Sequence, residues 1–167
     1  ACQEEAKGAD CRVLDSHAPL DLGDLQVFPF PVPHDAREPV QSVFSDGTAR
    51  LGVLTDAGEI TPHVCAMLSG CDALVLECNH DAVMLAASDY PGFLKRRIAG
   101  RLGHLENVAA AELLGRVDCS RLRHLVAAHL SERNNLPELA VRALAAALGC
   151  EPQWIGVACP QMGFPWR

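Results

Sequence analysis

His34, Asp56 and His129 each carry a metal-ligating side chain at a place poorly suited to plain packing. His34 stands in VPHDA, just past the apolar run LQVFPF and its Pro-broken tail. Asp56 stands in GVLTDAG, and His129 in LVAAHLSERNN, each just past another apolar run. All three would be delivered from loops at the ends of apolar strands. Imidazole and carboxylate are donors that Zn and Mn accept, and rigid strand ends would hold such donors in place. Singly, each has a plainer reading: a structural histidine beside a strand, or a turn aspartate before Ala-Gly. Together they predict a metal site along one edge of a sheet.

The elements that must position them can be read from periodicity and punctuation. Residues 25–30, 41–44 and 50–55 read as consecutive antiparallel strands, the last two joined by the turn Ser45-Asp46-Gly47-Thr48, where Asp-Gly is a hairpin signal. After Gly58 the pattern changes. Residues 61–68 suit a short helix with proline near its start, and the apolar run 73–76 suits a buried strand. Helical stretches follow at 81–87, 92–101 and 107–114, then a strand at 122–127. An Ala/Leu-rich helix at 137–148 stops at Gly149, and a last strand covers 154–158. Strands first, then alternating helix and strand, without repeat or long linker, predict one α/β domain spanning residues 1–167.

Composition narrows the class. A chain of 167 residues with 49% hydrophobic residues can build a core, mainly from Leu, Val and Ala because aromatics are only 5%. No apolar run approaches the ~18 residues of a membrane span. The polar first residues show no signal peptide, and the absence of an initiator Met fits a chain that begins inside a longer product. The formal net charge of −7 argues against loose electrostatic binding of nucleic acid by the chain as a whole. Local basic surface remains: Lys95, Arg96, Arg97 and Arg101 cluster, as do Arg121 and Arg123, where the plain reading is solvated helix faces. The eight cysteines are scattered, with no C-x-x-C pair, and read as reduced thiols of a cytoplasmic protein.

Five segments, PFPVPHDAREPVQSVF, LGVLTDAGEIT, LVLECNHD, YPGFLKRRIAGRLGHLENVAAAELL and LVAAHLSERNNLPELA, together resemble the YycJ/WalJ group of metallo-β-lactamase-fold hydrolases. That group is similar to RNase J, tRNase Z and PhnP in its metal-site logic. The resemblance runs from about Leu20 to the C-terminus. It implies part of an αββα sandwich and two divalent metal ions, Zn or Mn, that activate a hydroxide. His34, Asp56 and His129 match metal ligands, with Asp56 as the carboxylate bridging the ions. The implied activity is phosphodiester hydrolysis of nucleic acid, exonuclease-like, by a protein that can pair as a homodimer.

The departure lies in the first motif. The group's H-x-H-x-D-H string does not occur in this chain. The favoured expectation is the C-terminal portion of the fold, lacking its N-terminal strands; the other is a lineage that has lost the motif. On its own the chain is expected to bind metal weakly and to be inactive. An incomplete sandwich would also expose an apolar sheet face, which suits the alternative of a truncated, non-catalytic binding module.

Further candidates are less marked. His80 and His104 are the histidines that could protonate a leaving group. Asn79 could bind phosphate or cap the next helix, with Asp81 in its first turn. Ser131 and Asn134 could donate to a phosphate or cap the helix after Pro137. Glu106 replaces the small hydroxyl of the group's G-H-L-S-N loop. His17, His63 and His124 read as structural or solvated.

Overall fold

A computed structural model describes residues 14–160 and 163–164. Their strands form one mixed sheet in sequence order, β1 (Leu20–Asp21), β2 (Gln26–Pro31), β3 (Val40–Ser45), β4 (Arg50–Leu54), β5 (Ala73–Glu77), β6 (His124–Ala128) and β7 (Ile155–Val157). β1 to β4 pair antiparallel, and β4 to β7 pair parallel. The switch follows from the connections. Tight turns join the early strands, whereas helices carry the chain back between the later ones.

The crossovers are α1 (Pro62–Leu68), then α2 (Ala82–Ala87), α3 (Gly92–Ile98) and α4 (Asn107–Leu114), and finally α5 (Pro137–Leu148) with a 3-10 turn (Pro152–Trp154). Thr61 starts α1 by accepting from the Val64 amide, with Pro62 at the first helical position. Gly149 ends α5 at φ 62°, as expected. Asp81 rather than Asn79 caps α2, its carboxylate accepting from the Met84 amide at 2.9 Å.

The register separates the two faces of the sheet. Phe30, Val43, Leu54, Leu74, Leu76, Leu125, Ala127 and Ile155 lie on one face, buried with Val64 and Leu68 of α1, Leu113 and Leu114 of α4 and Leu144 of α5. The opposite face is also apolar, with Phe44, Leu51, Val53 and Val75 only half-buried. The sheet therefore has two apolar faces, as a strand layer in a sandwich does.

The antiparallel opening, the hairpin and each later helix and strand stand where the periodicity puts them, with three differences. α3 stops at Ile98 instead of continuing to residue 101. There the chain turns back, the Gly103 amide reaching Gly100 and the His104 amide reaching Ile98. The two-residue β1 has no counterpart in the sequence pattern, because two residues carry no alternation to read. Asp81 takes the capping place that the sequence offers to Asn79. Cys65, Cys71, Cys78, Cys119 and Cys150 are free thiols, while Cys2 and Cys11 lie outside the described residues.

Candidate metal centre

β4, β5 and β6 run parallel, so their C-terminal ends deliver Asp56, Glu77 and His129 to one edge. This is where open α/β sheets place ligands. His34 reaches the same edge from the loop after β2, and His104 from the loop after α3. Ligand atoms of Asp56, Glu77, His104 and His129 can be chosen that all lie within 4.8 Å of one another. The His34 Nε2 lies 3.7 Å from the same Asp56 Oδ1 that is 3.7 Å from His104 Nδ1 and 3.8 Å from His129 Nδ1. The three imidazoles form a row, with ring centroids 5.1 Å and 5.3 Å apart.

Two backbone features mark this edge. Asp56 and His129 are the non-glycine residues at positive φ among the described residues, at 51° and 55°. A left-handed conformation costs an L-residue about 1–2 kcal/mol, and such strain concentrates at functional sites. The loops also approach too closely for side chains. A Cβ on Gly58 would stand 2.5 Å from the Gly103 amide, and one on Gly103 would run into the carbonyls of Arg97 and Ile98. TDAG and LGH thus bring Asp56 and His104 together by lacking side chains at their contact.

Glu77 is the hub. It is fully buried, and its Oε1 accepts from His104 Nδ1 at 2.8 Å and from His129 Nδ1 at 2.7 Å. Oε2 accepts from the Ala57 amide at 2.9 Å and the Leu105 amide at 3.4 Å. Burial pushes its carboxyl up, but the bonds from His104, His129 and Ala57 outweigh burial and hold it at about 2. The bond to Glu77 in turn raises His129 against the effect of its own burial.

Hydrogen bonding fixes the tautomers. A carbonyl can only accept, so His34 Nδ1, 2.9 Å from the Gly103 oxygen, carries a proton. Ionised Glu77 likewise requires protons on Nδ1 of His104 and His129. Each neutral ring then keeps its Nε2 lone pair, the arrangement of metal-ligating histidines held by an acceptor behind them. By residue type the donor set fits a divalent ion: carboxylate oxygens of Asp56 and Glu77 and ring nitrogens of His104 and His129 lie within 4.8 Å of one another, with His34 Nε2 beside Asp56.

The remaining predicted residues sit around this cluster. His80 is 2% exposed, and burial pulls its imidazole below the ordinary range, which keeps it neutral in the core. His104 stands in the row of imidazoles at the edge, its Nδ1 bonded to Glu77 Oε1. Asn79, Ser131 and Asn134 knit loops: Asn79 Nδ2 donates to the His129 carbonyl at 3.1 Å, Ser131 Oγ accepts from the Asn134 amide at 3.2 Å, and the Asn134 carbonyl accepts from the Asp81 amide at 2.8 Å. α5 starts without a side-chain cap; just before it, Asn135 Oδ1 accepts from the Leu136 amide at 2.9 Å while its side-chain amide pairs with that of Asn107. Sequence reasoning met Glu77 only as the acid of the E-C-N-H-D run and passed over Asn135. The available signal for Glu77 was a charge directly closing an apolar strand.

Residues 2–130 match the family model described as the beta-lactamase superfamily domain, and the chain belongs to that family. It is similar to the exodeoxyribonuclease YycJ of Bacillus anthracis, 37% identical over 127 residues, covering 76% of this chain and 48% of that protein. It is also similar to the exodeoxyribonuclease WalJ of Streptococcus pneumoniae, 33% identical over 136 residues, covering 81% of this chain and 51% of that one. The chain thus spans about half the length of the curated relatives it matches. The metallo-β-lactamase fold protein YhfI of Bacillus subtilis superposes with a TM-score of 0.67 at 16% identity, over 99% of this chain and 61% of that one.

Proposed function

We propose that this chain carries half of the catalytic edge of a metal-dependent phosphodiester hydrolase that degrades DNA from an end. The observation that supports this best is the convergence of three imidazoles and Asp56 around buried Glu77. The relatives named exodeoxyribonucleases supply the substrate class. His34, Asp56 and His129 would hold divalent metal. Bound there, Zn or Mn would lower the pKa of water and neutralise charge on phosphoryl oxygens.

The chain's own residues do the rest. Glu77 fixes the His104 and His129 rings so that both offer Nε2. Protonated, His104 donates a proton from Nε2 to the departing oxygen, and Glu77 stabilises the imidazolium before that transfer. Asn79 holds the His129 backbone in its left-handed turn. We place the protein in the cytoplasm, on the cysteine pattern, and leave the ligands supplied by an H-x-H-x-D-H motif to a partner half of the fold.

The test uses the intact-length protein. Metal content and Mn-dependent nuclease activity are measured for the parent, His129→Ala and Asp56→Ala. Loss of bound metal together with a fall in turnover on the order of 10³-fold is expected. Unchanged activity in both variants sinks the ligand assignment. The 167-residue chain alone is expected to bind metal weakly and show no turnover. The half-buried Phe44, Leu51, Val53 and Val75 favour a second reading, a binding module that uses this face to pair.

A further inference from the structure

We infer that Cys119 and Cys150 form a redox-responsive pair: a peroxide oxidises them to a disulfide that staples the turn after α4 to the end of α5. The site lies where β6 and β7 begin, at the opposite end of the sheet from the metal edge, and does not depend on the nuclease reading.

Two separate stretches of chain lead these thiols to one place. Gly149 stops α5 in left-handed backbone, and the Cys150 amide closes the helix by donating to the Ala145 carbonyl at 3.1 Å. α4 packs against α5. After α4, residues 115–123 hold neither helix nor strand. Cys119 stands in that stretch, where its carbonyl accepts from the Leu122 amide at 3.0 Å. β6 and β7 then run parallel with Leu125 opposite Ile155, so both leads enter the sheet at the same end. There Cys119 and Cys150 line one cavity of about 220 Å³ with Leu122, Leu148 and Trp154. Both are free thiols and only half-buried, open enough for a small oxidant. Cys71 and Cys78, at 1% and 0% exposed, are closed to one. A disulfide needs Cα atoms about 4.4–6.8 Å apart. The irregular stretch that carries Cys119 can shift to meet that requirement while the end of α5 stays in place.

The order of events follows from Cys119. Its thiol donates to the Leu114 carbonyl at 3.5 Å, and burial, with the Asp118 carboxylate, pushes it up, so it keeps its proton. Cys150 attacks first. Its thiolate forms an S–O bond to the peroxide as the O–O bond breaks, which leaves a sulfenic acid and releases water or an alcohol. Cys119 then gives up its proton and its sulfur attacks that of Cys150. The S–S bond forms, the S–O bond breaks and water departs. The two thiols lose two electrons and the peroxide gains them. A small thiol such as glutathione undoes the bond by exchange. The loop closed between residues 119 and 150 contains β6 and His129, so the staple tightens the strand that leads to the metal edge without touching the edge. In a reducing compartment a bond of this kind is transient and redox-sensing.

The experiment treats the reduced full chain in chelator with stoichiometric hydrogen peroxide, blocks the remaining thiols, and digests with trypsin and a Glu-specific protease. Cleavage after Glu151 separates Cys150 from Cys159. A linked pair of peptides holding Cys119 and Cys150 is expected in the monomer, and reductant should part them. In Cys119→Ser, dimedone should trap a sulfenic acid at Cys150. Trp166→Phe leaves Trp154 as the only tryptophan, and in that background the bond should quench emission until reductant restores it. The oxidised parent should melt about 5 °C above the reduced parent, a rise that Cys150→Ser should abolish. The peptide map of the parent needs no substitution, so it decides even where a serine variant fails to fold. A link between other cysteines in its place, a 119–150 link found only in covalent dimers, both thiols still reduced once the peroxide is consumed, or an oxidised chain that melts no higher than the reduced one overturns the staple.

Discussion

The two ends of the parallel strands each hold a buried carboxylate gripped by nitrogen donors, and they are built to opposite purposes. At the N-terminal end, Asp72 takes the Arg121 guanidinium with Oδ1 and Oδ2, each at 3.1 Å, and the Arg50 amide on Oδ2 at 2.9 Å. Its carbonyl also accepts from the Arg123 and His124 amides. The Arg50 amide and then Arg121 hold the Asp72 carboxyl below its ordinary range, with burial opposing them. Guanidinium stays charged at every ordinary pH, so this grip never switches. At the C-terminal end, Glu77 is gripped by the imidazoles of His104 and His129, and its neighbours Asp56 and His129 sit in left-handed backbone. The lower clamp joins β4, β5 and β6 for stability. The upper one accepts strain to hold groups that can gain or lose a proton.

Glu77→Gln is expected to have the largest effect on that contrast. A shift from 4.5 to about 2 at a fully buried carboxyl corresponds to about 3 kcal/mol of stabilisation near pH 6, of which an amide keeps a part. At 2–4 °C per kcal/mol, Tm should fall by roughly 5–10 °C in the metal-free chain. In the intact-length protein, loss of the acceptor behind both imidazoles should lower metal affinity or activity about 10- to 100-fold. Calorimetry and metal titration check both. Asp72→Asn should separate the ends: Tm drops by several degrees, while kcat at a permissive temperature stays within about twofold. A kcat that falls in parallel with the Glu77 variant would erase the division of labour.

The sequence carried more of the lower, regular part of the molecule than of the upper edge. Strands and helices were legible because LVL, RLGVL and PELAVRALAAAL announce their period locally, and Thr61, Pro62 and Gly149 punctuate them. Asp56 and His129 were legible as polar residues directly beyond apolar runs. The role of Glu77 was not, since its partners His104 and His129 lie 27 and 52 residues away: parallel pairing of β5 with β6 brings His129 beside it, and the loop after α3 brings His104. Asn79 reads as a possible cap because Asn, His and Asp all precede the helix. The chain turn that aims Asp81 at the Met84 amide, and Asn79 at the His129 carbonyl, depends on tertiary contacts.

A pH series sharpens the comparison further. Glu77 titrates lower in the folded chain than unfolded, so its contribution is full above about 4.5 and disappears as pH falls through about 2. His129 titrates higher folded than unfolded, so its contribution is full below 6.5 and is lost as pH rises through the folded value. The metal-free chain should therefore gain its site-derived stability between about pH 4.5 and 6.5, with a loss on each side. Glu77→Gln should remove both losses, and Asp72→Asn should leave the alkaline one in place. Urea midpoints at fixed pH in chelator measure this. A parent and a Glu77→Gln curve that stay parallel from about pH 4 to 8 would show that the imidazoles contribute nothing through Glu77.

The smallest expected effect has the opposite sign. Asp56 holds φ 51° and its carboxylate approaches His34, His104 and His129 only to 3.7–3.8 Å, beyond hydrogen-bond range. Glycine adopts that backbone without strain but has more freedom to lose on folding, and aspartate tolerates it better than most residues. Asp56→Gly should consequently stabilise the metal-free chain by no more than about 1 kcal/mol, while the intact-length protein loses its metal-dependent turnover. A stability gain paired with lost activity identifies a residue retained for what it binds. If Asp56→Gly destabilises the metal-free chain, the carboxylate is holding the loop together, and the upper edge is a clamp of the same kind as the one around Asp72.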